Sequence, residues 1–139
     1  MSYEKDAMMI ALIAHHGQVD KAGKPYIRHP VAVAESLWNE DDDIKIVALL
    51  HDVVEDSEIT LNYLRAFFPD SIVDAVDAVT HREDETYNDY VRRAKKNAIG
   101  KKVKIADLKH NLSRMEPLEP KDREFLTKRY TKALEILED

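Results

Sequence analysis

The chain has 139 residues, 21 basic against 27 acidic side chains, a formal net charge of −6 and no cysteine. That length suits one domain with a core of its own, and the missing thiols exclude a disulfide scaffold and a thiolate metal site. The acidic balance argues against a protein that coats nucleic acid or an anionic membrane, and any metal chemistry falls to the 6 histidines and the carboxylates.

The first apolar run, residues 7–14, is far short of the roughly 20 residues of a membrane span. Glu4, Lys5 and Asp6 before it lack the cationic character of a signal peptide, so a cytoplasmic protein is expected. Tyr3, Ala7, Ile10, Ala11 and Ala14 recur at helical spacing and predict a helix over 3–16 that Gly17 ends. Gly23 and Pro25 make 18–28 a loop, and Pro30 suits the first turn of a helix over 30–38. Asp41, Asp42 and Asp43 offer cap and dipole charge for a third helix near 43–52. Thr60 caps a short helix running to Phe68. Pro69-Asp70 opens the next, with Ile72, Val73, Val76 and Val79 facing the core. Helices over 86–97, 100–115 and 120–137 complete the chain. Period-two alternation is absent, so one all-α domain over 1–139 is expected.

The chemistry concentrates in Leu49-Leu50-His51-Asp52-Val53-Val54-Glu55-Asp56. Were the helix to continue, His51, Asp52, Glu55 and Asp56 would project toward one side, since residues four apart are neighbours. Three carboxylates and an imidazole gathered there would repel and desolvate badly without a cation, which points to a metal. His29, fixed by Pro30, and Asp107, in an apolar helical stretch, can complete the site. Lys104, Asp107, Asn111 and Arg114 share one helical stripe. Two imidazoles and two carboxylates suit Mn²⁺, with zinc a weaker choice and Fe²⁺ left open. His15, His16, His81 and His110 are taken as non-ligands.

The order His29, His51-Asp52, Asp107 is similar to the H…HD…D signature of the HD-domain metal-dependent phosphohydrolases. Gly23–Pro30, His51–Asp56 and Val103–Asn111 further resemble the hydrolase domain of the RelA/SpoT alarmone enzymes, above all their short stand-alone members. The resemblance implies a single HD-domain helical bundle around one Mn²⁺ held by His29, His51, Asp52 and Asp107. It implies that Glu55 and Asp56 position and activate the attacking water. The implied reaction is removal of the 3′-pyrophosphate of ppGpp or pppGpp, with Lys104 and Asn111 close to the substrate. One departure is Asp20-Lys21, standing where the family usually carries an Arg-Lys pair, so that Lys21 is the cation left there. Tyr87 is a candidate for the wall of a base pocket, whereas Tyr90 is expected to pack. Two alternatives stay beside this expectation: a phosphatase acting on another nucleotide such as NADPH, and a metal- or nucleotide-binding domain without turnover. A nucleotide is the expected partner, with no nucleic acid and no membrane; whether the chain forms a homo-oligomer is left open.

Overall fold

The computed structural model describes residues 3–139. Nine α-helices form among them: α1 Tyr3–Ala14, α2 Arg28–Ser36, α3 Asp42–Leu50, α4 Val53–Asp56, α5 Leu61–Arg65, α6 Asp70–Ala78, α7 Tyr87–Lys95, α8 Ala98–Ser113 and α9 Pro120–Glu138. The described residues hold no strand, only an isolated bridge between Val19 and Pro25. The all-α expectation is met.

Most boundaries follow from capping. Thr60 accepts from the Tyr63 amide, Thr86 from Asp89 and Asn97 from Gly100, each satisfying a donor that a helix start leaves unpaired. The Asn97 cap starts α8 at Ala98, two residues before the expected position. Asp41 holds the N-cap position of α3 without a side-chain cap bond, while Asp42 pairs with Lys45 at 3.2 Å. Gly17 and Gly23 have φ of +80° and +79°, in the left-handed region that glycine enters at little cost. They bracket the turn that brings the chain back toward α2.

The buried positions Ile44, Ile46, Val47, Ala48, Leu49 and Leu50 make α3 the central helix, packed by α1, α2, α6 and α8. The main core unites α1 to α6 and one side of α8. A smaller cluster of Tyr90, Val91, Leu108, Ala133 and Leu137 joins α7 and α9 to the opposite side of α8. Thus α8 is the wall common to both.

The third helix ends two residues before the expected 52, and the condition of a helix continuing to Asp56 is not met. The helix does not run on through 51–56: α3 stops at Leu50, His51 and Asp52 form a turn, and α4 restarts at Val53. Neighbours on an α-helix point about 100° apart, as 3.6 residues per turn requires. An unbroken helix could not aim both His51 and Asp52 at one point, whereas the turn brings His51 Nε2 within 3.1 Å of Asp52 Oδ2.

Candidate metal centre

His29 enters from the first turn of α2, His51 and Asp52 from the α3–α4 turn, and Asp107 from the middle of α8. One donor atom from each of the four lies within 4.8 Å of all the others. His29 Nε2 is 2.8 Å from Asp107 Oδ1 and 3.6 Å from Asp52 Oδ2. His51 Nε2 is 3.2 Å from both Asp107 Oδ1 and His29 Nε2. Two imidazole nitrogens turned toward each other and toward two carboxylate oxygens are a donor set that fits a divalent ion.

A surrounding layer holds these donors in place. His51 Nδ1 donates to the Ala48 carbonyl at 2.6 Å, which leaves Nε2 facing the cluster. His29 Nδ1 lies 2.7 Å from His110 Nδ1, and the two rings stack. Tyr26 donates its hydroxyl to Asp52 Oδ2 at 2.7 Å. Lys104 donates to Asp107 Oδ2 at 2.9 Å and Asn111 to Asp107 Oδ1 at 3.3 Å. Arg114 in turn donates twice to Asn111 Oδ1. The stripe expected from Lys104, Asp107, Asn111 and Arg114 is therefore a continuous hydrogen-bonded chain along α8.

The electrostatics follow from burial and proximity. Burial works against a charge on His51, but the Asp52 and Asp107 carboxylates outweigh it and hold its pKa well above the ordinary value. For His29 burial wins, and its pKa is lowered despite Asp107. Burial disfavours charge on Lys104 and Asp107 alike, yet each keeps the other ionised, raising the lysine and lowering the carboxyl. Glu55 is pushed up by burial, opposed by the His81 amide that donates to its Oε1. Burial and the charge of Asp52 raise Asp56 to about 6.

The cluster opens into a cavity of about 170 Å³ whose lining includes Asp52, Glu55, Asp107, Lys104, Asn111 and Tyr87. A larger groove of about 440 Å³ adjoins it, sharing Tyr26, Asn111 and Tyr130. Of the residues singled out from sequence, Lys21 lies in this outer groove rather than beside the cluster, and Asp56 lines neither space. Tyr90 is buried and donates its hydroxyl to the Val79 carbonyl, so it packs as expected, although its ring also borders the inner cavity. Asp20 Oδ1 accepts from the Ala22 and Lys24 amides, and Arg114, 3.8 Å from Oδ2, brings a planar cation to the groove from a different element. His15, His16, His81 and His110 lie outside the four-residue cluster, as expected.

Sequence reasoning missed Tyr26, His110, Arg129 and Tyr130. For His110 a signal existed, since it stands three residues after Asp107 on α8. Tyr26 sits three before His29. For Arg129 and Tyr130 there was none, because only the packing of α9 brings them to the cavity.

Residues 7–121 match the family model described as "HD domain". A guanosine-3′,5′-bis(diphosphate) 3′-pyrophosphohydrolase of Haemophilus influenzae is 32% identical over 133 residues, covering 86% of this chain and 20% of the relative. The bifunctional (p)ppGpp synthase/hydrolase SpoT of Escherichia coli K12 is 32% identical over 132 residues, covering 86% of this chain and 19% of that protein. The chain thus spans about a fifth of the length of these curated relatives. Among solved structures, that of a metazoan orthologue of SpoT that hydrolyses ppGpp superposes with a TM-score of 0.87 at 24% identity. It covers 99% of this chain and 86% of that one, a likeness of fold. With the H…HD…D residues converging on one point and most of the chain matched by the family model, the chain belongs to the HD-domain family.

Proposed function

We propose that the chain is a metal-dependent phosphohydrolase that removes the 3′-pyrophosphate from guanosine 3′,5′-bis(diphosphate) or a nucleotide like it. One Mn²⁺ would be held by His29, His51, Asp52 and Asp107, and residues 1–139 would form a single hydrolytic domain. The observation that carries this is the convergence of those four donors, of which Asp52 and Asp107 line a cavity that also holds Glu55. The names of the relatives support the choice of nucleotide.

A divalent ion at the four donors would make water more acidic and neutralise charge on the phosphoryl oxygen under attack. The protein's own groups supply the rest. Glu55, raised by burial and oriented by the His81 amide, takes the proton of the attacking water at its carboxylate. Asp56, raised to about 6 by burial and the charge of Asp52, lies outside the cavity lining and acts from there rather than by touching substrate. Lys104 keeps Asp107 ionised, and Asn111, gripped by Arg114, orients the ribose or phosphate at the junction of cavity and groove. Tyr87 forms part of the cavity wall, and Lys21 and Arg114 offer cations to the more distant phosphates in the groove.

The test is release of pyrophosphate from guanosine 3′,5′-bis(diphosphate) by the full chain with Mn²⁺, alongside NADPH as a competing substrate. Asp52→Ala is expected to abolish turnover with an unchanged circular dichroism spectrum. No pyrophosphate from the wild-type chain, or normal activity in the Asp52→Ala variant, overturns the proposal.

A further inference from the structure

Lys104 and Arg129 are the lysine and arginine side chains that line the inner cavity, with Arg93 and Arg114 outside its lining. Lys104 pairs with Asp107 at 2.9 Å. Arg93 is held by Glu85 and by the carbonyls of Asp77 and Thr80. Arg114 bonds Asn111. Arg129, on α9, differs: among the described residues no carboxylate forms an ion pair with it, yet it lines the cavity. Its guanidinium sits 4.7 Å from the centroid of Tyr87 and 4.9 Å from that of Phe125. Stacking on two rings fixes the plane of the fork without neutralising its charge, so its donors remain available to an incoming anion.

A second observation points the same way. The hydroxyl of Tyr87 is buried and has no hydrogen-bond partner, one of two such side-chain atoms among the described residues. A buried hydroxyl left unpaired costs free energy that a ligand oxygen would recover. One ring thus carries an idle donor and, on its face, an idle cation. The carboxylates of Asp52, Glu55 and Asp107 belong to the same small cavity, so its charge is divided between an acidic group and Arg129.

Resting on the phosphohydrolase proposal above, we infer that Arg129 and the Tyr87 hydroxyl bind the outer phosphate of a diphosphoryl group whose inner phosphate meets the His/Asp cluster. Arg129 is then the residue that distinguishes a 3′-pyrophosphate from a single phosphate. Its planar fork matches two phosphate oxygens, and the Tyr87 hydroxyl supplies a third donor.

Calorimetric titration of the full, Mn²⁺-loaded chain with inorganic pyrophosphate and, separately, orthophosphate tests this without turnover. Arg129→Gln is expected to weaken pyrophosphate about tenfold or more while orthophosphate binding stays unchanged. Tyr87→Phe should give a smaller loss in the same direction, and Arg129→Lys a partial recovery. In turnover, Arg129→Gln should raise KM for guanosine 3′,5′-bis(diphosphate) and leave that for its 3′-monophosphate counterpart alone. Equal losses for both anions, or no loss for pyrophosphate, overturn the assignment of Arg129. Failure of the wild-type chain to hydrolyse either nucleotide overturns the reaction instead, and calorimetry still decides the role of Arg129.

Discussion

At His29 the two ring nitrogens have different duties. Nε2 faces Asp107 and the rest of the cluster, so an ion bound there would leave the proton on Nδ1, with His110 Nδ1 at 2.7 Å as its acceptor. A neutral imidazole is a less common orienting partner than a carboxylate or carbonyl, yet it does the same work of fixing a tautomer. His110→Ala is therefore expected to lower Mn²⁺ affinity by about 10- to 100-fold, with partial recovery in His110→Gln. Titration calorimetry would measure this, and an affinity equal to wild type would show that the contact is mere packing. The four cluster residues were legible in the sequence because donor types at the H…HD…D spacing leave few other uses for buried charge. His110 was not legible as an orienting group, since spacing alone separates ligands from non-ligands and says nothing of the atoms that hold ligands in place. Lys21 was legible as a cation but its distance from the cluster was not: sequence proximity to His29 does not reveal that the turn between Gly17 and Gly23 carries it into the outer groove.

Helices were legible from their periodicity and caps, the third to within two residues of its end, while the restart of α4 at Val53 was not. Val53 and Val54 continue the apolar pattern of α3, so hydrophobic spacing carries no sign of a stop. The sign lay in the dipeptide itself, because two adjacent ligands cannot converge from one straight helix. The segment before α7 illustrates a second device at this scale. Arg93, on α7, reaches back to Glu85 at 2.7 Å and to the carbonyls of Asp77 and Thr80, tying the 80–86 connection to α6 and α7. The Arg93 guanidinium beside Glu85 holds its carboxyl down at about 2, below the ordinary 4.5. The stabilisation is thus complete above about pH 4.5 and disappears as the pH falls through about 2. Glu85→Gln should cost about 1 kcal/mol at pH 6, a figure reduced for solvent screening, and less as the pH drops toward 3. Urea unfolding at both pH values provides the check; a cost independent of pH would mean that the charge is not involved.

The molecule as a whole is two clusters that share α8. The candidate ligands come from α2, the α3–α4 turn and α8, all bordering the main core, whereas α9 is held through the smaller cluster around Ala133 and Leu137. Binding a divalent ion should therefore act unevenly. At a hundredfold excess over Kd, Mn²⁺ is expected to add about 2.7 kcal/mol and raise Tm by several degrees. Amide exchange should slow in α2, α3 and α8 while the second half of α9 stays as it was. Uniform slowing along the whole chain would contradict the division into two clusters. This division was beyond the reach of the sequence, since α9 shows an apolar stripe without saying which neighbour it covers, and for that reason the cavity residue Arg129 stayed hidden.

Lys104 sets an order of events. Its ammonium is buried against Asp107 and lies 4.9 Å from the centre of the Tyr90 ring, so one carboxylate of the cluster already has a permanent counter-ion. The chain can consequently finish folding around its acidic centre first and acquire its metal afterwards, into a cavity already built. An ion that joined last would leave Asp107 still paired with Lys104 on its departure, so its loss would not strip that carboxylate of its counter-ion.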